Sequence, residues 1–360
     1  MPDSPLPPTL KGRGAISNPA NRFDRLEIAD DPDWLDDETG AERLERRVPT
    51  QYYTDQSREI VTSNSSPDLP FTYSVNPYRG CEHGCTYCYA RPYHEYLGWS
   101  CGLDFETRIV VKPDAPALLE RWLLRPAWVP EPIAFSGVTD CYQPIERKLK
   151  IMRGCLEVCV RFGQPLGIIT KSALIVRDLD LLQELSRRNL VHATLSVTTL
   201  DASLARAMEP RASAPEKRLA AIEALAKAGV PTGVNLAPIV PGLNDHEIPG
   251  ILQRAREAGA TSAGYIMLRL PHQVKAVFLD WVEREFPGRA ARVRHAIEEV
   301  RDGKLNSAAF GERLRGAGWR ADLVEQVFSG TRDRLGMTSR WQPLSTAHFR
   351  RPAGPQQELF

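Results

Sequence analysis

Three of the seven cysteines lie within eight consecutive residues, at Cys81, Cys85 and Cys88. The loops between them are too short for a disulfide of ordinary geometry. Thiolates at this spacing are more typical of a metal ion or a metal cluster. Gly80 and Gly84 allow the backbone to turn tightly around the sulfur atoms. The sequence therefore predicts a metal centre in this segment.

Two kinds of centre are compatible with three thiolates. A structural zinc ion needs a fourth ligand, which His83 or His94 could supply, and would make the chain a non-catalytic module that binds a partner. An iron–sulfur cluster held by three cysteines keeps one iron free of protein ligands. A free iron can bind a substrate, whereas a plain electron carrier is expected to have every iron ligated. We favour the catalytic iron–sulfur cluster over both alternatives.

A regular alternation of apolar and helical segments begins near residue 71. Short, apolar, β-branched runs cover residues 71–75, 132–138, 166–170, 192–198, 232–237 and 263–268. Helical periodicity covers residues 115–124, 145–162, 179–188, 216–228 and 248–258. Repeated β-α units are typical of a parallel sheet, so six of them predict an α/β fold, a partial (β/α)6 barrel of the TIM type. Chemistry in such folds gathers in the loops after the strands, where the three cysteines lie.

The two ends of the chain differ from the central region, residues 71–286. Residues 1–70 are rich in Pro, Asp and Asn and predict an irregular N-terminal arm. Residues 287–360 contain thirteen basic and eight acidic side chains and predict a C-terminal helical appendage.

The composition places the chain among ordinary soluble enzymes. With 46 basic and 45 acidic side chains in 360 residues, it is too neutral for a strongly basic nucleic-acid coat. It contains neither an apolar run of membrane-spanning length nor a signal-peptide pattern at its start. We therefore expect a cytoplasmic protein with no membrane partner.

The cysteine motif resembles the signature of a known superfamily. C-x3-C-x2-C with an aromatic residue before the third cysteine, after the first strand of a partial β/α barrel, is similar to that of radical S-adenosylmethionine (SAM) enzymes. Further segments resemble the spore photoproduct lyase branch, often labelled DNA-repair photolyase-like. These segments are Thr139-Asp140, Ile169-Thr170-Lys171, Leu195-Ser196, Glu209-Pro210, Lys217-Arg218, 226–231 and 237–239. The resemblance covers about residues 71–270 and does not fix the substrate.

The resemblance implies a radical SAM enzyme in which Cys81, Cys85 and Cys88 hold a [4Fe–4S] cluster. In such enzymes SAM chelates the fourth iron, and one electron splits it into methionine and a 5′-deoxyadenosyl radical that takes hydrogen from a substrate. An external one-electron reductant of the flavodoxin or ferredoxin type is implied as a partner. A nucleic-acid lesion is one candidate substrate, and the others are a protein, an RNA or a small metabolite.

The resemblance also implies side chains that bind the amino-acid part of SAM. Thr139 or Asp140 would accept hydrogen bonds from its amino group, and Lys171 would pair with its carboxylate. An exposed lysine at a strand end is the alternative for Lys171. Arg211 would bind the same carboxylate or a substrate phosphate, unless it forms a salt bridge to Glu209.

Other side chains are implied at the nucleoside part of SAM. Ser196 would contact the ribose, and Tyr87 or Tyr89 would stack near the adenine. The strand edge that begins at Ile239 would also pack on the adenine. Ordinary packing inside the barrel is the alternative for the serine and for the tyrosines.

The remaining cysteines are less informative. Photoproduct lyases use an additional cysteine after the second strand to return hydrogen to a product radical, and alignment places Gly137 there. Cys141, four residues later, is the candidate catalytic replacement, with a packed thiol as the alternative. This departure argues against thymine-dimer reversal. Cys155 and Cys159, one helical turn apart, predict an apolar helix face rather than a second cluster.

Overall fold

The computed structural model describes residues 10–23 and 48–352. Within these residues, helices alternate with short strands. The strands are β1 (Gln51–Thr54), β2 (Val61–Ser63), β3 (Tyr73–Val75), β4 (Tyr78–Arg79), β5 (Arg108–Val111), β6 (Ile133–Phe135), β7 (Leu166–Thr170), β8 (Val191–Ser196), β9 (Thr232–Ile239) and β10 (Ser262–Met267). The α-helices are α1 (Asp104–Thr107), α2 (Ala115–Leu123), α3 (Glu146–Leu149), α4 (Ile151–Phe162), α5 (Leu179–Arg187), α6 (Ala202–Met208), α7 (Pro215–Lys227), α8 (Ile248–Glu257), α9 (Val274–Glu285), α10 (Ala290–Glu299), α11 (Glu312–Arg315) and α12 (Trp319–Arg334).

The larger sheet has the strand order β10-β9-β8-β7-β6-β3-β2. Its strands β3 and β6 to β10 pair in parallel with one another. These six strands coincide with the six predicted apolar runs, and the predicted α/β fold is confirmed. Because parallel strands that follow one another point the same way, the loops after them meet at one edge of the sheet.

The core is an apolar layer between the parallel strands and the helices that connect them. Leu156, Leu185 and Ile222, from α4, α5 and α7, have no exposed surface. Cys155 and Cys159 lie on the same buried face of α4. The prediction that these two cysteines form part of an apolar helix face is confirmed.

The predicted helix over residues 145–162 is divided into α3 and α4. Lys150 between them has a φ of 56°, in the left-handed region. The Glu146 carboxylate accepts hydrogen bonds from the backbone N–H groups of Ile151 and Met152, both at 3.1 Å. It thus satisfies two donors that the first turn of a helix leaves without partners. Hydrophobic periodicity does not reveal this break because it continues across Lys150.

The structure differs from the predicted irregular arm at two places. Strand β1 pairs in parallel with β5 in a three-stranded sheet of order β1-β5-β4. Strand β2 pairs antiparallel with β3 and extends the edge of the larger sheet. Both strands depend on partners elsewhere in the chain. The arm residues 1–9 and 24–47 lie outside the described residues.

The C-terminal region follows β10 with helices α9 to α12, of which α10, α11 and α12 lie within residues 287–360, the predicted appendage. Thr338 returns to the larger sheet, where it forms a parallel bridge with Ser262 of β10. Residues 353–360 lie outside the described residues. Among the described helices, none combines the length and the apolarity that a bilayer span requires.

Candidate metal centre

The three cysteines lie in a single loop, residues 80–90, that we call the cluster loop. It follows β3 and the two-residue strand β4. Gly80 and Gly84 have φ values of 74° and 68°, and a Cβ atom at Gly84 would lie 2.7 Å from a carboxylate oxygen of Glu106. Glycine is therefore required by both backbone conformation and space. The predicted tight turn around the cysteines is confirmed.

Two of the three thiols, Cys81 and Cys85, are buried, and Cys88 is half-buried. Burial raises the pKa of Cys81, Cys85 and Cys88, and the negative charges of Asp140 and of the neighbouring thiolates raise that of Cys81 further. All seven cysteines are free of disulfides. Thiolates in such surroundings become stable when a cationic centre compensates their charge. The donor set therefore fits an iron–sulfur cluster, whose irons provide that compensation.

Two histidines were candidates for a fourth ligand: His83 lies beside Asp140, whereas His94 packs among aromatic rings with its Nε2 buried without a hydrogen bond. His83 Nδ1 lies 3.4 Å from Asp140 Oδ2. The His94 ring packs on Trp99 and Phe105, with centroids 5.1 and 5.6 Å apart. In the described part of the chain, no group of three or more His, Cys, Asp or Glu side chains could hold a single metal ion. This holds for the cluster-loop cysteines as well. The geometry thus gives no support to a closed site for a single zinc ion. A four-iron cluster is larger than one ion, so its ligands need not surround so small a volume.

A buried ion pair supports the cluster loop. Arg91 Nη2 lies 2.5 Å from Glu106 Oε1, and both side chains are fully buried. Arg91 also donates to the backbone carbonyls of Cys85 at 2.9 Å, Cys101 at 3.1 Å and Gly102 at 2.8 Å. The arginine therefore connects a cluster cysteine to the segment before α1. Spacing in the sequence gives no sign of this pair.

The N-terminal residues 10–23, which we call the strap, pack on the same loop. The backbone N–H groups of Gly14 and Ala15 donate to the two carboxylate oxygens of Glu106, both at 2.9 Å. A Cβ atom at Gly14 would come within 2.0 Å of the Gly84 carbonyl oxygen. The strap thus lies directly against the backbone between two of the cluster cysteines.

Asp140 joins the loops after β6 and β7 to the cluster loop. One carboxylate oxygen accepts from the Thr170 hydroxyl at 2.7 Å, and the other accepts from the backbone N–H of Lys171 at 2.8 Å. The Thr139 hydroxyl instead donates to the carbonyl of Tyr78 at 2.8 Å and is buried. Of the two predicted acceptors for the amino group, Asp140 is therefore the one fixed beside His83 of the cluster loop.

Lys171 faces the cluster loop. Its Nζ lies 5.7 Å from the centroid of the Tyr87 ring. Burial raises the pKa of Cys85 and Cys88, and the Lys171 ammonium partly opposes that rise. The structure therefore brings the predicted lysine and the predicted tyrosine together with two of the cluster cysteines.

Glu209 is a buried carboxylate to which sequence reasoning assigned no role of its own. It accepts hydrogen bonds from the hydroxyls of Tyr87 and, at 2.6 Å, Thr198, and it pairs with Arg218. Burial alone would raise the pKa of Glu209, but Arg218 and Lys171 bring it down to about 2. This ionised carboxylate therefore fixes the Tyr87 ring.

The alternative partner considered for Arg211 is wrong. Arg211 pairs with Glu82 of the cluster loop, at 3.0 Å, rather than with Glu209. Glu209 is already paired with Arg218. The Glu-Pro and Lys-Arg segments were visible in the sequence, but nothing in their spacing identifies which arginine reaches the carboxylate.

Ser196 and Ile239 lie at the carboxyl ends of neighbouring strands. Ser196 ends β8, is buried, and pairs with Asn235 of β9. Ile239 ends β9 and is also buried. Asn244 fixes the turn after β9, because its side-chain oxygen accepts from the N–H of Val240 at 2.7 Å. Both residues are thus at the sheet edge predicted for the nucleoside, and their contacts with it stay predictions.

Cys141 is fully buried and belongs to the main apolar core. Burial raises its pKa well above the ordinary value, and its backbone N–H donates to the Ser136 hydroxyl at 2.9 Å. These surroundings are those of a packed thiol, so its catalytic role stays a prediction. At Gly137, a Cβ atom would lie 3.0 Å from the Cβ atom of Ser74, which makes a larger side chain tight at that position.

Comparisons of sequence identify one superfamily. The family model of the radical SAM superfamily matches residues 75–255, which include the cluster loop, Asp140 and Lys171. An uncharacterized protein of Mycobacterium tuberculosis is 38% identical over 249 residues, which are 69% of this chain and 72% of the relative. An uncharacterized protein of Methanocaldococcus jannaschii is 32% identical over 178 residues, 49% of this chain and 63% of the relative.

The fold is similar to that of solved spore photoproduct lyases. A mutant of that enzyme with bound AdoMet and dinucleoside spore photoproduct has a TM-score of 0.57 and 18% identity, and the match covers 81% of each chain. At this identity the likeness concerns the fold alone. It agrees with the predicted barrel architecture.

Proposed function

This chain belongs to the radical SAM superfamily, and we propose that it is an enzyme that holds a [4Fe–4S] cluster through Cys81, Cys85 and Cys88. When bound, the cluster and SAM supply a low-potential electron and a 5′-deoxyadenosyl radical that takes hydrogen from a substrate. The observation that carries the proposal is three thiols in one loop, two buried and one half-buried, none of which is in a disulfide.

Asp140 and Lys171 are our proposed contacts for the amino-acid part of SAM. The carboxylate of Asp140 is fixed by the Thr170 hydroxyl and by the backbone of Lys171, so it is already oriented as an acceptor for an ammonium group. The Lys171 ammonium offers donors to a carboxylate. A carboxylate and an ammonium that follow neighbouring strands, at the same edge of the sheet, match the zwitterionic end of an amino acid.

The surroundings of the cluster loop limit access by water. Glu106 ties the strap to Arg91, while Glu209 ties Tyr87 to Arg218. These bonds occupy polar groups on two sides of the loop. We propose that they keep the loop in one conformation and exclude solvent from a reactive intermediate.

An external one-electron reductant of the flavodoxin or ferredoxin type is our proposed partner. The other four cysteines, Cys101, Cys141, Cys155 and Cys159, are fully buried, and none is grouped for a second metal centre in the described residues. Free thiols suit a reducing compartment, so we expect the protein to act in the cytoplasm. A nucleic-acid lesion is a candidate substrate from the family resemblance, although Gly137 replaces the cysteine that photoproduct lyases use.

Anaerobic reconstitution with iron and sulfide, followed by dithionite and SAM, tests the proposal. We expect about four irons per chain and formation of 5′-deoxyadenosine, both lost in Cys85→Ala. Cys159→Ala is the matched control because that thiol is equally buried but lies in the apolar face of α4; it should keep both properties. Zinc in place of iron, or equal nucleoside formation by Cys85→Ala, would contradict the proposal.

A further inference from the structure

Three arginines lie near the carboxyl end of the last parallel strand, and we call them the arginine group. Arg269 follows β10 by two residues, Arg301 follows α10, and Arg313 lies in α11. Their positive charges are close enough that Arg313 lowers the pKa of Arg269, after burial, and Arg269 lowers that of Arg301, also after burial. The group therefore concentrates positive charge at one side of the barrel mouth.

Two members of the arginine group are engaged within the protein. Arg301 is buried and donates to the backbone carbonyls of Leu268 at 2.6 Å and Arg313 at 3.1 Å. Arg313 forms an ion pair with Asp68 at 2.5 Å. Asp68 also accepts from the backbone N–H of Gly311 at 2.8 Å. These two arginines thus have partners that fix their positions.

Arg269 has no anionic partner among the described residues. Among the described residues it forms no ion pair, and its Nε is buried without a hydrogen bond. The Asp68 carboxylate stabilises the positive charge of Arg269 electrostatically, but Asp68 is already paired with Arg313. A half-buried guanidinium without an anionic partner is unfavourable, because its desolvated charge and its N–H donors are not fully compensated. Such a group is compensated when an anion binds.

The surface beside Arg269 adjoins the cluster loop. The guanidinium carbon lies 5.8 Å from the centroid of the Tyr89 ring, and Tyr89 directly follows Cys88 in the chain. The Tyr89 hydroxyl donates to the Gly137 carbonyl at 2.7 Å. Tyr89 and Tyr93 are 40% and 55% exposed. Arg269 thus borders an open aromatic surface next to a cluster cysteine.

We propose that Arg269 binds an oxyanion of the substrate, a phosphate or a carboxylate group. A guanidinium matches both groups with two parallel hydrogen bonds. The amino-acid carboxylate of SAM is assigned to Lys171, after the third parallel strand, whereas Arg269 follows the sixth. The oxyanion therefore belongs to a second molecule. That this molecule is the substrate rests on the proposed function; that an anion binds does not.

Protection from phenylglyoxal, which modifies accessible arginines, tests the site residue by residue. The reconstituted full chain is treated at one ionic strength in sodium chloride, sodium phosphate or sodium acetate, and modification is mapped by mass spectrometry. Arg269 should react in chloride and be protected several-fold by phosphate, or by acetate if the site prefers carboxylates. Arg292 is the internal control because it is exposed on α10, and it should react alike in all three salts.

Two outcomes would overturn the proposal: equal modification of Arg269 in all three salts, or no modification of it in chloride. Thermal melting gives an independent reading, because an anion that binds the folded protein raises its melting temperature. The protecting anion should raise the melting temperature of the wild type and of Arg292→Gln above that in chloride, but not that of Arg269→Gln.

The same preparation also separates this site from the proposed function. If Arg269 is protected but the wild type forms no 5′-deoxyadenosine, the anion site stands and the proposed function fails. If 5′-deoxyadenosine forms but Arg269 is not protected, only the anion site fails.

Discussion

The two sides of the barrel mouth treat buried charge differently. At the cluster loop, Arg91 pairs with Glu106 and Arg218 pairs with Glu209, and all four side chains are buried. At the C-terminal side, Arg269 has no ion pair among the described residues. Charges that the protein neutralises itself maintain a conformation, whereas a charge without a partner is available to a ligand. Substitution of a buried charged residue should therefore lower stability strongly at the cluster loop and only slightly at the C-terminal side.

Arg91→Met should have the largest effect on stability. It leaves Glu106 buried without its cation, and breaking a buried pair in this way costs about 3–5 kcal/mol. Urea unfolding of the wild type and the variant measures the difference. Arg161→Gln is the control because its pair with Glu120, at 2.6 Å, is 48% and 40% exposed; it should cost less than about 1 kcal/mol. Equal losses of unfolding free energy in the two variants would show that the buried ion pairs of the cluster loop do not stabilise the fold more than an exposed pair does.

The pH dependence of stability should reveal Glu209. Its pKa of about 2 lies below the ordinary value of 4.5, so its contribution is complete above the ordinary pKa and is lost as the pH falls through about 2. Between about pH 5 and about pH 3, the free energy of unfolding should lose about 2 kcal/mol of the contribution from Glu209. Unfolding free energies measured across that range should fall more steeply for the wild type than for Glu209→Gln. Parallel curves would show that Glu209 is not held ionised by its surroundings.

Gly14→Ala tests the contact between the strap and the cluster loop. The added Cβ atom would meet the Gly84 carbonyl oxygen at 2.0 Å, so the strap must shift, at about 1–2 kcal/mol. Hydrogen exchange of the strap should become faster, and a chelator should remove iron sooner. Gly288→Ala is the control because no atom lies within 4 Å of its added Cβ. Unchanged exchange in Gly14→Ala would show that the strap does not depend on this contact.

Arg269→Gln should have the smallest effect. The wild-type side chain has no ion pair to lose in the described structure, and burial and then the like charge of Arg313 both disfavour its charged form. The unfolding free energy should therefore stay within about 0.5 kcal/mol of the wild type, or rise. A loss as large as that of Arg91→Met would mean that Arg269 is a structural residue like the arginines of the cluster loop.

The features that sequence predicted are the local ones. The six parallel strands and the cysteine motif depend on residues close together in the chain, where hydrophobic period and spacing are visible. Asp140 and Lys171 could be placed on one edge because each follows a predicted strand. The direction of the chain in a parallel sheet then determines that these side chains meet.

The features that sequence did not predict depend on distant partners. Nothing in the spacing of charged residues indicates that Arg91 pairs with Glu106, or that Arg211 pairs with Glu82 rather than Glu209. Polar pairs have no periodicity, and many combinations satisfy charge equally well. The strap was visible only as a segment with too few apolar residues for its own core; its backbone bonds to Glu106 have no sequence signal.

The central claim is that the cluster has three protein ligands and one iron left open for SAM. Mössbauer spectra of the chain reconstituted with ⁵⁷Fe, recorded with and without SAM, test it most directly. We predict that SAM changes the spectrum of one iron site and leaves the other three unchanged. Four sites that are the same with and without SAM would mean that the protein closes the coordination sphere, and would contradict the account.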